Sequence, residues 1–230
     1  MNAGPNTALV VIDAQRAFVD PEGSVARTFG IDDVQPGVAA LGRLCRFIAG
    51  HRSVGPTIFV RSEYRPGQFT SGDLNHGMAH VCVPGRNIDC EWASGVELSP
   101  HDVVVTKHHA DAVESAAYRD AIEQAIGNGI NRIVVVGFQF TTCVAASAVS
   151  TLEMVRGRGV GVTVVEAFTG SRASSYVPGP SGVSRIESTR RRLETSGVEV
   201  IADVGDFNDG DAAHYFSSAR APPRMPRTTW

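Results

Sequence analysis

The sequence predicts an α/β fold with three layers, in which helices cover both faces of a doubly wound parallel sheet. Six short runs rich in β-branched residues have the continuous hydrophobicity of strands that are buried on both faces. Between them, four segments carry apolar residues at three- and four-residue spacing and end near glycine, as amphipathic helices do. This alternation favours right-handed βαβ units.

The predicted elements follow one another in a regular order along most of the chain. The predicted strands cover residues 8–13, 57–61, 102–107, 132–138, 162–167 and 198–203. The predicted helices cover residues 35–52, 114–129, 141–159 and 181–197. Since no linker or internal repeat divides these elements, we expect a single domain over residues 1–230 with a core at about 7–205.

Two segments lie outside this alternation. Residues 62–101 have little periodicity and are rich in glycine, proline, histidine and aromatic residues. A connection of that length is usually functional or disordered, and its aromatic residues favour an ordered substrate loop or lid. Residues 206–230 are expected to form a C-terminal extension that packs on a partner subunit.

Composition excludes several classes of partner. The 230 residues carry a net charge of −3, which is no electrostatic footprint for nucleic acid or an anionic membrane. The arginines of residues 185–194 are interspersed with glutamates, which indicates a solvated helix face. No apolar run approaches the length of a membrane span, and the N-terminus does not resemble a signal peptide, so we expect a cytoplasmic protein.

Four cysteines occur, without a CxxC pair or the spacing of a zinc site. A chain of this size needs no disulfides to build a core, so free thiols are expected. The surroundings of each cysteine therefore decide what it does. The four are Cys45, Cys82, Cys90 and Cys143.

Reactive side chains stand at three of the predicted strand ends. Asp13 closes the first strand, Lys107 closes the third, and Cys143 opens the helix after the fourth. Taken singly, each has an ordinary explanation as a turn former, a solvated lysine or a core cysteine. The carboxyl ends of parallel strands meet at one sheet edge, where a base, a cation and a thiol together are what a cysteine hydrolase requires. A cation and a helix start would both favour the thiolate.

Three stretches of the sequence resemble the motifs of the isochorismatase-like cysteine hydrolases. "ALVVIDAQRAF" is similar to the opening strand and D-x-Q-x-x-F pattern of that family, "VVVTKHHADAV" to its third strand, and "VVVGFQFTTCVAAS" to its cysteine motif. The family includes nicotinamidases, N-carbamoylsarcosine amidohydrolase, ureidoacrylate amidohydrolase and streptothricin hydrolase. The resemblance covers roughly residues 7–205.

The resemblance implies a six-stranded sheet in the order 3-2-1-4-5-6 and a catalytic triad of Asp13, Lys107 and Cys143. It implies a cis peptide between Phe138 and Gln139, and an oxyanion hole formed by the backbone N–H groups of Gln139 and Cys143. The expected activity is hydrolysis of an amide, carbamoyl or ureido bond of a small molecule through a thioester, without a cofactor. Relatives are usually dimers or tetramers, so a homodimer or homotetramer is expected.

Departures from the family motifs bear on the substrate pocket. Nicotinamidases carry a D-x-H-P element after the second strand that helps to bind a metal, whereas "EYRP" stands here, with Glu63 and Arg65 in the aspartate and histidine places. Arginine stays protonated and does not ligate metals, so no metal site is expected. Arg65 is either a surface residue of the loop or a bidentate anchor for a substrate carboxylate or ureido oxygen. Ala110 and Val113 suggest a roomier wall than in relatives.

Six residues are predicted to line the substrate pocket. They are Gln15, Phe18, Tyr64, Arg65, Phe138 and Phe140.

Other functions remain open at the level of sequence. Isochorismatase-type vinyl-ether hydrolysis is performed by relatives without a catalytic cysteine, and the intact cysteine motif argues against it. A catalytically silent member that serves as an oligomeric binding or scaffold module is a second alternative. Dinucleotide binding lacks support, since no GxGxxG follows the first strand.

Overall fold

Six parallel strands form the central sheet in the order β3-β2-β1-β4-β5-β6, which confirms the predicted topology. The computed structural model describes residues 6–52 and 55–202 of the chain. The strands are β1 Thr7–Ile12, β2 Thr57–Ser62, β3 Val103–Lys107, β4 Arg132–Phe138, β5 Gly161–Gly170 and β6 Glu199–Ile201. The predicted extension 206–230 lies outside the described residues, as does the last residue of the predicted strand 198–203.

In residues 6–52 and 55–202, six α-helices surround the sheet, and a π-helical turn, Phe140–Val144, joins β4 to the fifth of them. The helices are α1 Arg16–Val19, α2 Ser24–Phe29, α3 Ile31–His51, α4 Ala116–Gly127, α5 Ala145–Met154 and α6 Arg185–Thr195. Helices α1 and α2 were not predicted, because they are too short to show a period. Helix α3 begins four residues before the predicted start, and Asp32 and Asp33 occupy its first turn, where carboxylates stabilise a helix.

The core has two halves, one on each face of the sheet. Side chains alternate along a strand, so Leu9 and Val11 of β1 pack in the half that contains Phe47 of α3. Val10 and Ile12 pack in the opposite half, against residues of α4, α5 and α6. Strand β1 is buried along its whole length, which places its carboxyl end at the centre of the molecule.

The long segment between β2 and β3 is ordered by a buried carboxylate. Asp89 lies in a short 3₁₀ turn, Ile88–Cys90, and accepts hydrogen bonds from the backbone N–H groups of Ser24 (3.0 Å) and Cys82 (3.2 Å). Trp92 forms a β-bridge with Gln15. These contacts hold the segment against α2 and the end of β1, beside the catalytic residues proposed above.

Within the described residues, no helix combines the length and hydrophobicity that crossing a bilayer requires. The four cysteines are all free thiols, as predicted.

Candidate active site

The carboxyl ends of β1, β3 and β4 bring Asp13, Lys107 and Cys143 together. Asp13 follows β1 and has a left-handed backbone conformation, with φ of 49°. Lys107 is the last residue of β3, and Cys143 lies in the π-helical turn after β4. Strand β2 lies between β1 and β3, and its last residue, Ser62, stands opposite Lys107 in the sheet register. A non-glycine residue at positive φ is uncommon and occurs often at functional sites.

A glycine sets the approach of β4 to β1. Gly137 has a φ of 109°, and a Cβ added there would lie 2.0 Å from the carbonyl oxygen of Ile12. No other residue fits this position without moving one of the two backbones. The glycine therefore lets the chain leave β4 close to Asp13 and begin the turn that carries Cys143.

A buried ion pair links Lys107 to Asp13. The Nζ atom of Lys107 lies 2.9 Å from Oδ2 of Asp13 and also donates to Ser62 Oγ (2.7 Å), Tyr64 Oη (3.1 Å) and the carbonyl oxygen of His109 (3.0 Å). Because an ammonium has three protons, these hydrogen bonds saturate it, and the contact with Asp13 is ionic. Burial is the largest single influence and disfavours the ammonium, but the negative charge of Asp13 together with the neighbouring Cys143 and Tyr64 outweighs it, and the pKa of Lys107 lies above its usual value.

Ser62 and Tyr64 connect this ion pair to the thiol. The hydroxyl of Ser62 donates to Oδ1 of Asp13 (2.9 Å) and lies 2.6 Å from the hydroxyl oxygen of Tyr64. That Tyr64 oxygen in turn lies 3.9 Å from Sγ of Cys143. Burial and the nearby carboxylate of Asp13 keep the pKa of Tyr64 well above its usual value, so its hydroxyl stays protonated and can donate.

The Cys143 thiol is protonated at rest. It is 6% exposed, and burial followed by the negative charge of Asp13 raises its pKa to about 11, although Lys107 and the hydrogen bond with Tyr64 act in the opposite direction. The sequence predicted that the thiolate would form readily. The pKa is raised instead, because burial and the Asp13 carboxylate disfavour the thiolate more than Lys107 favours it. A base must therefore remove the proton as the sulfur reacts.

The peptide bond between Phe138 and Gln139 is cis, as the resemblance implies. The carbonyl oxygen of Gln139 accepts the N–H groups of Thr142 (3.0 Å) and Val144 (3.2 Å), and this pair of bonds shapes the turn around Cys143. Gln139 and Cys143 both line the cavity described next. The role of their N–H groups as an oxyanion hole stays a prediction.

Cys143 opens into a cavity of about 330 Å³. Most of its wall is apolar, and its polar part lies on the turn after β4 and on two arginines. The apolar lining comes from Phe18, Val25, Phe29, Tyr64, Phe69, Met78, Val81 and Ala110, and the polar lining from His76, Gln139, Thr142, Cys143, Arg172 and Arg185. A mostly apolar cavity with a few convergent polar groups is typical of a small-molecule site.

Of the six predicted pocket residues, Phe18 and Tyr64 line this cavity. Gln15 instead supports β2: its side chain accepts the N–H of Ser62 (2.7 Å) and donates to the Ser62 carbonyl oxygen (3.1 Å). Arg65 is exposed at the surface and is not part of the cavity wall. The structure therefore does not place Arg65 in the pocket, where it was predicted to lie.

Phe138 and Phe140 also differ from expectation. Both are almost completely buried, and they pack in opposite halves of the core, because Phe138 is the last residue of β4 whereas Phe140 begins the π-helical turn, where the alternation of a strand no longer holds. Their side chains therefore fill the core around the segment that carries Cys143, and they do not line the cavity. Ala110, whose small side chain suggested a roomier wall, does line the cavity.

Ser62, Arg172 and Arg185 were missed by the sequence reasoning. Ser62 ends β2 and Arg172 follows β5, so their positions at strand ends were an available signal. Arg185 begins α6. Its proximity to Cys143 depends on how α6 packs, which no local pattern indicates.

The positions that correspond to the nicotinamidase metal element do not suit a metal ion. The Glu63 carboxylate forms an ion pair with Arg61 (2.8 Å), and the neighbouring Arg65 is a cation. In the part of the chain that the structure describes, no three His, Cys, Asp or Glu side chains are grouped as metal ligands.

Comparisons with known proteins bear on the fold and the family of this chain. Among curated proteins, no sequence matches this chain significantly. Solved structures with a similar fold include an isochorismatase family protein from Desulfovibrio vulgaris, which is 18% identical, with a TM-score of 0.63 and coverage of 86% of this chain and 94% of that one. N-carbamoylsarcosine amidase from Thermoplasma acidophilum is 20% identical, with a TM-score of 0.61 and coverage of 86% and 99%.

Pyrazinamidase of Pyrococcus horikoshii, solved in complex with zinc, is 18% identical, with a TM-score of 0.65 and coverage of 86% of this chain and 100% of that one. At these identities the likeness shows a shared fold. The sequence profile of the isochorismatase domain matches residues 7–177, which include Asp13, Lys107 and Cys143. With that match over most of its length, this chain belongs to the isochorismatase family of hydrolases.

Proposed function

We propose that this protein is a cysteine-dependent amidohydrolase that cleaves a carbon–nitrogen bond of a small amide, carbamoyl or ureido compound through a thioester. One observation carries the proposal: the Cys143 thiol lines a mostly apolar cavity and contacts a network that contains a buried carboxylate and a buried ammonium. The similar structures that are amidases support the carbon–nitrogen bond as the target.

The first half-reaction forms the thioester. As Sγ of Cys143 attacks the carbonyl carbon, Asp13 takes the thiol proton, because the thiol pKa of about 11 leaves little thiolate at rest. The carbonyl electron pair moves to oxygen, where the N–H groups of Gln139 and Cys143 would each stabilise it by about 3 kcal/mol. The carbon–nitrogen bond then breaks, and Asp13 returns the proton to the departing nitrogen.

The second half-reaction consumes water. Asp13, again a carboxylate, takes a proton from the water that attacks the thioester. The carbon–sulfur bond breaks, the acid is released, and the proton passes from Asp13 to Sγ. Lys107 does not exchange protons in this scheme, since its pKa is raised, and it holds the Asp13 carboxylate in place.

The proposal is tested by measuring ammonia release from primary amides, N-carbamoyl acids and ureido compounds. Cys143→Ala should abolish release, while Cys45→Ala, which removes a half-buried thiol from α3, should leave it unchanged. Mass spectrometry of the quenched wild-type reaction should find the acyl group on the Cys143 peptide. Turnover that survives in Cys143→Ala would contradict the cysteine mechanism and favour a reaction that needs no thiol.

The predicted homodimer or homotetramer stays a prediction. Light scattering coupled to size-exclusion chromatography measures it directly, and a monomeric mass would overturn it.

A further inference from the structure

The cavity wall carries basic side chains and, in the described part of the chain, no acidic ones. Arg172, Arg185 and His76 contribute to the wall, and no aspartate or glutamate does so in the described part of the chain. Asp13 lies behind the thiol, where Lys107 and Ser62 engage both of its oxygens. The open part of the cavity is therefore a mostly apolar surface that carries positive charge.

Arg172 is already occupied by protein groups. Its guanidinium forms an ion pair with Asp33 of α3 (2.5 Å), donates to Ser174 Oγ (3.0 Å) and stacks on the ring of Phe29 at 3.5 Å from the centroid. These contacts hold Arg172 in one position and neutralise much of its charge. It is a fixed wall of the cavity with little capacity for another anion.

Arg185 differs from Arg172 in its lack of partners. It is exposed, and within the described residues it has no ion pair or side-chain hydrogen bond. It stands in the first turn of α6, where a positive charge is unfavourable next to the positive end of the helix dipole. Nearby Glu187 does not compensate it, because that carboxylate pairs with Arg191.

We propose that Arg185 binds an anionic group of the substrate, a carboxylate, where α6 contributes to the cavity wall. This inference rests on the proposed amidohydrolase function and narrows its substrate class to amides or ureido compounds with an apolar or aromatic body and a carboxylate. A guanidinium binds a carboxylate through two parallel hydrogen bonds, and the apolar wall of the same cavity suits the uncharged body of such a substrate.

Alkylation of Cys143 tests the proposal without requiring turnover. The reagents are iodoacetamides whose amide nitrogen carries a chain of one to four methylenes that ends either in a carboxylate or in a primary alcohol. In each case Sγ displaces iodide, so the two reagents of a pair undergo the same reaction and differ in the terminal group, which is an anion in one and a neutral hydroxyl in the other. The rate at the Cys143 peptide is followed by mass spectrometry, and the ratio of the carboxylate rate to the alcohol rate is divided by the same ratio for glutathione.

For at least one chain length, the ratio should favour the carboxylate in the wild type and fall roughly tenfold in Arg185→Gln, as expected for a lost charge-assisted pair. Arg185→Lys should keep part of the preference, because the charge remains but the bidentate geometry is lost. Arg192→Gln is the matched control: it removes the same charge from the last turn of α6, outside the cavity, and should leave the ratio unchanged. An equal ratio in the wild type and Arg185→Gln at every chain length would overturn the proposal.

Failure of the proposed function would look different. Primary amides that end in a carboxylate, compared with matched alcohols, report turnover separately from charge preference. Absence of ammonia release from both members of every pair would argue against an amidohydrolase, while the alkylation ratio would still decide whether Arg185 selects anions.

Discussion

Nζ of Lys107 and Oδ2 of Asp13 lie 2.9 Å apart at the edge where three parallel strands end, and both side chains are almost completely buried. A buried ion pair contributes little net stability, because desolvation offsets the attraction. Loss of one partner is costly, since the other is left as an uncompensated charge. The pair is therefore best explained by what it does to the neighbouring thiol.

Lys107→Met should destabilise the protein by about 3–5 kcal/mol, because the Asp13 carboxylate is left buried without its cation. The double variant Asp13→Asn with Lys107→Met should recover much of that loss, since neither charge remains. Urea unfolding measures both free energies. If the double variant loses as much free energy of unfolding as the two single variants together, the two residues are not coupled and the ion pair does not contribute to stability.

Asp13→Asn should abolish hydrolysis but accelerate alkylation of Cys143. The carboxylate is the proposed base, and general bases contribute about 10²–10⁴-fold to rate. Its negative charge also raises the thiol pKa, so its removal lowers that pKa and increases the thiolate fraction at a given pH. The pH profile of the rate of reaction with iodoacetamide should therefore shift to lower pH. Slower alkylation in this variant would contradict the protonated resting thiol.

Tyr64→Phe should raise the pKa of Cys143 and lower kcat/KM roughly three- to tenfold, as expected for one hydrogen bond to the sulfur. The pH dependence of alkylation should move to higher pH. Tyr118→Phe is a matched control, because it removes another buried tyrosine hydroxyl, which bonds Thr151 at 2.8 Å in a different part of the core. That variant should lose stability without any change in the thiol titration. Identical titrations in wild type and Tyr64→Phe would remove Tyr64 from the site chemistry.

Gly137→Ala should prevent stable folding or displace β4, because the new Cβ would overlap the carbonyl oxygen of Ile12 and the backbone φ is positive. Gly42→Ala is the control within α3, where a Cβ meets nothing within 4 Å, and it should stabilise the protein by about 0.5–1 kcal/mol. Thermal unfolding compares the two. Equal melting temperatures for Gly137→Ala and the wild type would show that the close approach of β4 to β1 is not required.

Much of the architecture followed from the sequence, because buried strands and amphipathic helices have distinct hydrophobic periods. All six strands and the strand order were predicted correctly, the order from the family resemblance. Two helices were not predicted: α1 and α2 are held by packing of residues such as Phe18 and Val25 into the core, and their length hides any period. The sequence favoured an ordered loop over residues 62–101, but it did not identify the buried carboxylate of Asp89, which bonds the backbone of Ser24 and Cys82.

The sequence by itself determined the family, the strand ends and the three residue types that stand there, because motif spacing and hydrophobic period are properties of the linear chain. Tertiary structure decided which groups surround the thiol and whether it carries a proton. Ser62 and Tyr64 reach Asp13 and Cys143 because β2 lies beside β1 in the sheet. Arg65 points to solvent while Arg185, far along the chain, lines the cavity. Burial and neighbouring charges set a pKa, and both arise only when distant segments pack together.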